Sequence, residues 1–465
     1  MVELVVDGYK AVETRPGCLE VCLPYGTRLH ALPGTIETDG GMAEVRSMQR
    51  DSLAAEADSE AFVFDLSLPD TIVVSASDGR QVVYILSAHF SHLPVVYLST
   101  PAPVTSRTEW TEGCTMTVCH AGAADAFYAG AEVRGRGNST WSCPKKPYAV
   151  RLGKRASVLG MPEHRRWVLL ANWFDPSNLR SELGFFLGRQ TRLAYTPRTA
   201  FVELVVNGEF QGVYQLAEQI KIDPNRLDIP EESYLLETDQ RASAAAGDVF
   251  FSVGHMTWPV VVKSPDTAVG EPEYEHIVSY MDGVDRALFG PDFCDAARGY
   301  AAWLDVDSFV EWYLVNEITK NNDAIFFASC FMHLAPGGKL TMGPLWDFDL
   351  AFGNTLSNGN DVPEGFWIKR ATPWFSRLFE DPAFVARVKQ RYAEIYAGRS
   401  QLFHELDRLA ASLSPAVPGN NSVWNFYDGG ADATRVLYAY DADVERLRDW
   451  LEIRFEWLRA EFGKM

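Results

Sequence analysis

The sequence predicts an α+β protein: a strand-rich front, a mixed body and a helical rear. Three observations carry this. Short alternating apolar runs broken by Gly, Asp and Pro fill the chain from Glu3 to Ala88, as in a sheet with one buried face. Phe309, Val310, Tyr313, Leu314 and Ile318 fall at helical spacing. The composition, 47% apolar and 22% charged, is that of a folded chain, and 465 residues allow two to three domains of about 150 residues each.

In chain order, LVV, CLEVCL, FVFDLSL, TIVVSA and VVYIL read as strands of an antiparallel, immunoglobulin-like β-sandwich, an accessory domain over residues 1–90. Asp78-Gly79 marks a hairpin, because both central residues must tolerate positive φ. No catalytic cluster falls here, so a binding or spacer module is the reading. A second domain spans 91–465. VVYLST and MTVCHA are further strands, leading into AEVRGRGNSTWSCPKKPYAVRL. WVLLA reads as a buried strand or turn. Asp175 or Ser177 can cap a helix running through Leu179, Leu183, Phe186 and Leu187. FVELVVNGEFQGVYQLAEQI is a hairpin turned at Asn207-Gly208, and YLLETD is a short strand. VDSFVEWYLVNEITKN forms a core helix ending near Asn321. FFASCFMHL and KLTMGPLWDFDL are two strands joined by Pro336-Gly337-Gly338. From Asp381 the chain reads helical, interrupted at LSPAVPGNNSVWNFYDGG.

Charge narrows the function. Forty-two Lys and Arg against 62 Asp and Glu leave a net charge of -20, which repels phosphate backbones at long range and excludes nucleic acid as a main partner. An anionic substrate then needs a local basic pocket or a divalent cation. The seven cysteines form no pair of CxxC motifs, and His120, His255 and His333 have no partner at metal spacing, so zinc is not supported. Cys18 with Cys22 or Cys114 with Cys119 could bridge in an exported chain; isolated buried thiols are the other reading. The start lacks a basic and apolar leader, and no run reaches about 18 apolar residues, so neither an export signal nor a membrane span is expected. A cell-surface setting would require a leader removed beforehand; otherwise the setting is cytoplasmic.

Two constellations could carry chemistry. Arg134, Arg136, Lys145 and Lys146 gather around Gly135, Gly137 and Ser139, a local basic concentration whose glycine-rich backbone could approach phosphate oxygens. The spacing is not a Walker sequence, and an ordinary basic turn fits too. Asp323 lies in NNDAIFFAS, and Asp347 and Asp349 in LWDFDLAFGN; the hairpin between can bring them to one cleft. Hard cations take such carboxylates, and a further carboxylate can orient a hydroxyl. Capping of the next helix is the alternative for Asp347 and Asp349. Asp175, Arg180 and Glu218 could line the cleft, with a helix cap for Asp175 and a structural ion pair for Arg180 as the other readings; Lys263 could neutralise phosphate or be a solvated lysine before a turn.

The order of parts, an early strand lysine, an acid-bearing helix, a hairpin, a connecting strand, a long helix, an Asp loop and a hairpin ending in Asp-Phe-Asp, is that of protein-kinase-like folds. The motifs RGRGNSTWSCPKKPYAVRL, LLANWFDPSNLRSEL, VVNGEFQGVYQLAEQI, DSFVEWYLVNEITKNNDA and GPLWDFDLAFGN stand in the order of the CotH kinase family. From roughly His92 onward the chain resembles that family of atypical, protein-kinase-like proteins. The resemblance implies a two-lobed kinase-like domain using ATP and Mg²⁺ (or Mn²⁺) to phosphorylate Ser/Thr of a surface or coat protein acceptor. It implies Asp323 as the catalytic Asp, Asp347 as the metal-binding Asp and Asp349 as its assistant. Lys145 or Lys146 would grip phosphate, with Glu182 pairing that lysine. Arg134, Arg136, Asn138, Ser139 and Glu237 would complete the nucleotide contacts. The chain departs from the pattern after Asp323: no Asn follows within a few residues, and Ser329 is a poor substitute ligand. A non-catalytic surface protein that binds proteins or glycans is the competing expectation.

Overall fold

The structure, a computed structural model, describes residues 2–23, 27–38, 41–46, 61–76, 78–119 and 127–465. It divides into two compact units. One comprises Met1–Trp173, Ala200–Ala217 and Ser412–Leu437; the other comprises Phe174–Thr199, Glu218–Ala411 and Tyr438–Met465. The expected boundary near residue 90 lies inside the first of these.

The first unit opens with β1 (Val2–Val6), β2 (Tyr9–Lys10), β3 (Val12–Arg15), β4 (Cys18–Leu23), β5 (Leu32–Thr38), β6 (Gly41–Arg46), β7 (Ala61–Phe64), β8 (Asp70–Ala76) and β9 (Gln81–Phe90). They form a four-stranded sheet, β2-β1-β5-β7, and a five-stranded sheet, β3-β4-β9-β8-β6. Leu4, Ile36 and Phe64 of one sheet share a core with Val21, Ile72 and Leu86 of the other. The β8–β9 hairpin turns at Asp78-Gly79, where Gly79 takes φ +83°. The strands are not all antiparallel: β4 and β9 run parallel, and the long chain between them supplies the crossover that such pairing requires.

Next comes a closed barrel of β10 (Val95–Ser99), β11 (Thr111–Cys119), β12 (Phe127–Gly135), β13 (Tyr148–Val158), β14 (Met161–Leu170), β15 (Thr199–Val206) and β16 (Glu209–Glu218). Closure comes from parallel pairing of β10 with β15. Val96, Leu98, Met116, Val133, Val150, Trp167, Leu204 and Tyr214 fill the interior. Alternation along the strands then turns Glu132, Arg134, Arg151 and Arg166 outward. The β15–β16 turn is Asn207-Gly208, both at positive φ, as a two-residue hairpin needs.

The second unit carries α1 (Arg180–Arg189), β17 (Tyr234–Asp239), β18 (Phe250–Phe251), β19 (Val260–Ser264), α2 (Pro272–Phe289), α3 (Val306–Thr319), β20 (Ala328–Leu334) and β21 (Thr341–Met342), the strands ordered β18-β19-β17-β20-β21. Then come α4 (Ile368–Ala371), α5 (Pro373–Leu378), α6 (Pro382–Ala397) and α7 (Ser400–Leu413). After α8 (Val417–Trp424), which belongs to the first unit, α9 (Ala433–Lys464) closes the chain. Helix α3 is buried from Ser308 to Thr319, as a helix apolar all round must be. Its Glu317 is fully buried and held by Arg454 of α9 at 2.8 Å and by the backbone N–H groups of Trp367 and Lys369.

Three expectations change. The strand expected over KLTMGPLWDFDL shrinks to Thr341–Met342, because Pro344 offers no N–H to a ladder; the rest is irregular backbone. The expected helix interruption contains α8, with Pro418 in its first turn. Helix α2 was not anticipated. Among the described residues the seven cysteines form no disulfide, and burial pushes Cys22 and Cys119 up to about 12. Among the described residues no helix is long and apolar enough to cross a membrane.

Candidate active site

The acidic constellation lies wholly within the second unit. Helix α3 starts at Asp305, whose side chain accepts from the Ser308 N–H, and stops where Lys320 turns left-handed. The chain then forms the loop Asn321–Phe327 before entering β20. Beyond β21 the irregular segment carries Trp346, Asp347, Phe348 and Asp349. Asp323, Asp347 and Ser329 line one small recess with Asn316, Asn321 and Trp346, its free volume about 10 Å³, room for about one water.

Asparagine amides hold this arrangement. Asn321 Nδ2 donates to the Asp347 carbonyl (3.1 Å) and to Asn316 Oδ1 (3.2 Å), tying the Asp323 loop to the Asp347 segment. The Trp367 indole N–H donates to the Asn321 carbonyl at 3.0 Å. Asn322 Nδ2 donates to Asp323 Oδ1 at 2.9 Å, while its own Oδ1 accepts from Asn358 and Asn360. Ser329 Oγ donates to Asp347 Oδ2 at 3.1 Å. Phe348 is fully buried between the two acids, its ring against Gly184, where a Cβ would come within 2.3 Å. Phe326, Ser329 and Asp347 all take positive φ, a concentration of costly backbone typical of functional sites.

Electrostatics single out the same residues. Burial, then the charge of Asp347, pushes the Asp323 carboxyl up to about 6, against smaller opposing contributions from Asn322 and Arg241. Asp349 is raised well above the carboxylate range by burial and by Asp347, Asp323 and Asp175. Glu237 on β17 is raised mainly by burial, with Lys263 opposing; Asp347 also acts on it. Uncompensated carboxylates close to one another repel, and a cation relieves that repulsion. Among the described residues no three His, Cys, Asp or Glu side chains form a ready metal cage. Mg²⁺ rarely uses one: it takes one or two carboxylates and keeps water and phosphate oxygens, so an oxygen donor set such as Asp347 and Asp349 fits it.

The other expected residues have defined places. No helix follows Asp347 and Asp349 directly, so neither is a helix cap. Asp175 is not the N-cap of α1, a position held by Leu179, but its Oδ2 accepts from the Arg180 N–H in the first turn and its Oδ1 from the Arg180 guanidinium. Glu182 accepts from Arg189 and Thr199. Lys263 is exposed, as expected of a solvated lysine, and its ammonium also pairs with Glu237 at 3.0 Å. In the first unit Lys145 is fully buried, its ammonium donating to the Val213 carbonyl and Asn420 Oδ1 and lying 4.7 Å from the Tyr214 ring. Burial pushes it down to about 7, and it fastens β16 to α8. Lys146 donates to the Trp141 carbonyl. Asn138 Oδ1 accepts from Arg107, the Arg136 N–H donates to the Pro147 carbonyl, and Ser139 begins a 3₁₀ turn. Arg134 faces outward beside Trp110. The glycines of this segment have local causes: a Cβ on Gly135 would strike the Trp141 ring, and Gly137 takes φ +80°.

Sequence reasoning gave no role to Asn321, Asn322 or Trp367. The Asn-Asn-Asp run was the available signal; the long-range partners were not readable.

The chain belongs to the CotH kinase protein family, which residues 133–458 match. No curated protein matches it. Among solved structures, a chain from Bacteroides thetaiotaomicron described as a "putative glycoside hydrolase" aligns at 12% identity over 58% of this chain and 82% of that one, with a TM-score of 0.16, too low to carry an argument.

Proposed function

We propose that the protein transfers the γ-phosphoryl group of ATP, with Mg²⁺ or Mn²⁺, to a serine or threonine hydroxyl of a protein acceptor. The observation that carries this is the recess where Asp323 and Asp347 meet, with Asp349 in the same field of mutual repulsion; membership of the CotH kinase family supports it. On this reading Asp347 and Asp349 hold the cation. The bound cation supplies positive charge against the phosphoryl oxygens. Asp323 accepts the hydroxyl proton or orients the hydroxyl. With its carboxyl near pH 6 it is mostly ionised at neutral pH yet more basic than an ordinary aspartate. Ser329 and Asn321 fix Asp347 from its side chain and backbone, so catalysis rests on positioning and charge. Within the first unit taken by itself, Arg136, Asn138, Ser139 and Lys146 are proposed as anion contacts. Lys145 serves the barrel instead. The kinase-like two-lobed architecture, and an accessory role for the N-terminal sheets, belong to the same proposal.

The test is phosphate incorporation from labelled ATP into the protein itself and into general acceptor proteins with Mg²⁺ or Mn²⁺. Asp323→Ala and Asp347→Ala should each abolish it while the far-UV spectrum is kept. No incorporation by the unaltered chain with either metal overturns the reading.

A further inference from the structure

Outside the acidic site, the first unit concentrates positive charge on the outer wall of its barrel. Arg134 on β12, Arg151 on β13 and Arg166 on β14 stand on three adjacent strands, Arg151 directly opposite Arg166 in the register. Their guanidinium carbons lie 4.7, 4.8 and 4.9 Å from the centre of one indole, Trp110. Cation–π contact with the indole holds the guanidinium groups near it and leaves N–H groups as donors. Arg134 uses one on the Thr108 carbonyl at 3.2 Å, and Arg151 pairs with Glu132. The Nε atoms of Arg134 and Arg151 are buried with no hydrogen-bond partner. Exposed Arg165 adds its charge to the group, and burial together with Arg151, Arg134 and Arg165 depresses Arg166 to about 10. A chain of net charge -20 thus carries a half-buried cationic row whose members repel one another.

Adjacent strands lie about 4.8 Å apart, so the row runs about 10 Å. That exceeds what one carboxylate or phosphate spans, and matches two or three carboxylates along an extended peptide, whose same-face side chains recur about every 7 Å. Guanidinium forks take carboxylates in bidentate fashion, and the overall negative charge disfavours a nucleic acid, with one charge per about 1.7 Å, far more than a short peptide. We propose that the outward face of β12–β14 binds a short acidic segment of a partner protein, with Arg134, Arg151 and Arg166 meeting its carboxylates beside Trp110. This does not depend on the phosphotransferase reading.

The experiment uses the full chain and a fluorescein-labelled peptide of alternating aspartate and serine, followed by anisotropy. Saturable binding is expected, weakening at least about tenfold between about 0.05 and 0.3 M salt as screening grows. Arg151→Gln and Arg166→Gln should each weaken it by about three- to tenfold; should either fail to fold, Arg134→Gln should still weaken it. A lysine–serine peptide should not bind. The proposal is overturned by absence of saturable binding at low salt, by unchanged affinity in the folded arginine variants, by inorganic phosphate competing as well as the peptide, or by a DNA oligonucleotide of equal charge binding more tightly.

Discussion

Asp323→Asn is expected to stabilise the protein while abolishing the proposed activity. The Asp323 carboxyl ordinarily titrates at 3.8 and in the fold at about 6. A pKa raised by about 2 corresponds to about 3 kcal/mol between the protonation states. Because the folded value is raised, the stabilising contribution of the protonated acid is fully present below about pH 4 and is lost as pH rises through 6. Above that the fold carries the full penalty of the ionised, buried group. Asparagine has the same shape and never ionises. In EDTA, the variant should match the unaltered protein near pH 4 and exceed it by about 3 kcal/mol at pH 7, or about 6–12 °C in the melting of a domain of this size. Urea titrations and thermal melts across pH 4 to 8 make the comparison. Parallel stability curves, or a variant less stable at neutral pH, would refute the reasoning, since the site would then not be storing electrostatic strain.

Other outcomes follow from single contacts. Arg454→Met leaves the buried Glu317 carboxylate without its guanidinium and should cost about 3–5 kcal/mol in urea unfolding. Gly184→Ala drives a methyl into the Phe348 ring; we expect a loss of about 1–3 kcal/mol and reduced phosphate incorporation, since Phe348 sits between Asp347 and Asp349. His89 is a pH-dependent brace of the first unit: burial opposes its charged form, but the hydrogen bond and charge of Glu203, with Glu20, outweigh burial and raise its pKa. That stabilisation is fully present below the ordinary imidazole value of about 6.5 and disappears as pH rises through the raised one, so His89→Gln should lose stability at pH 6 and little at pH 9, read by melting.

Local features were legible because their causes are local. Asn207-Gly208, both at positive φ, and Asp78-Gly79, where the glycine takes it, announced their hairpins, and the apolar spacing around Phe309 and Leu314 announced α3. Closure of the barrel was not legible: β10 meets β15 across intervening hairpins, and no short-range pattern encodes a distant parallel partner. Lys145 and Lys263 show the same limit for side chains. Their neighbours in sequence read as a phosphate grip and a solvated turn, yet their partners, Asn420 and Glu237, come from far along the chain. Asp323 and Asp347, which line one recess, were visible as residue types at plausible spacing, whereas the amides that hold their segments, Asn321 and Asn322, needed the fold.

The most direct test of the central claim is calorimetric titration of a non-hydrolysable ATP analogue into the intact chain, with and without Mn²⁺. The account predicts metal-dependent binding that Asp347→Asn removes while leaving the far-UV spectrum unchanged. Binding that ignores the metal, or that survives Asp347→Asn at full strength, would contradict it.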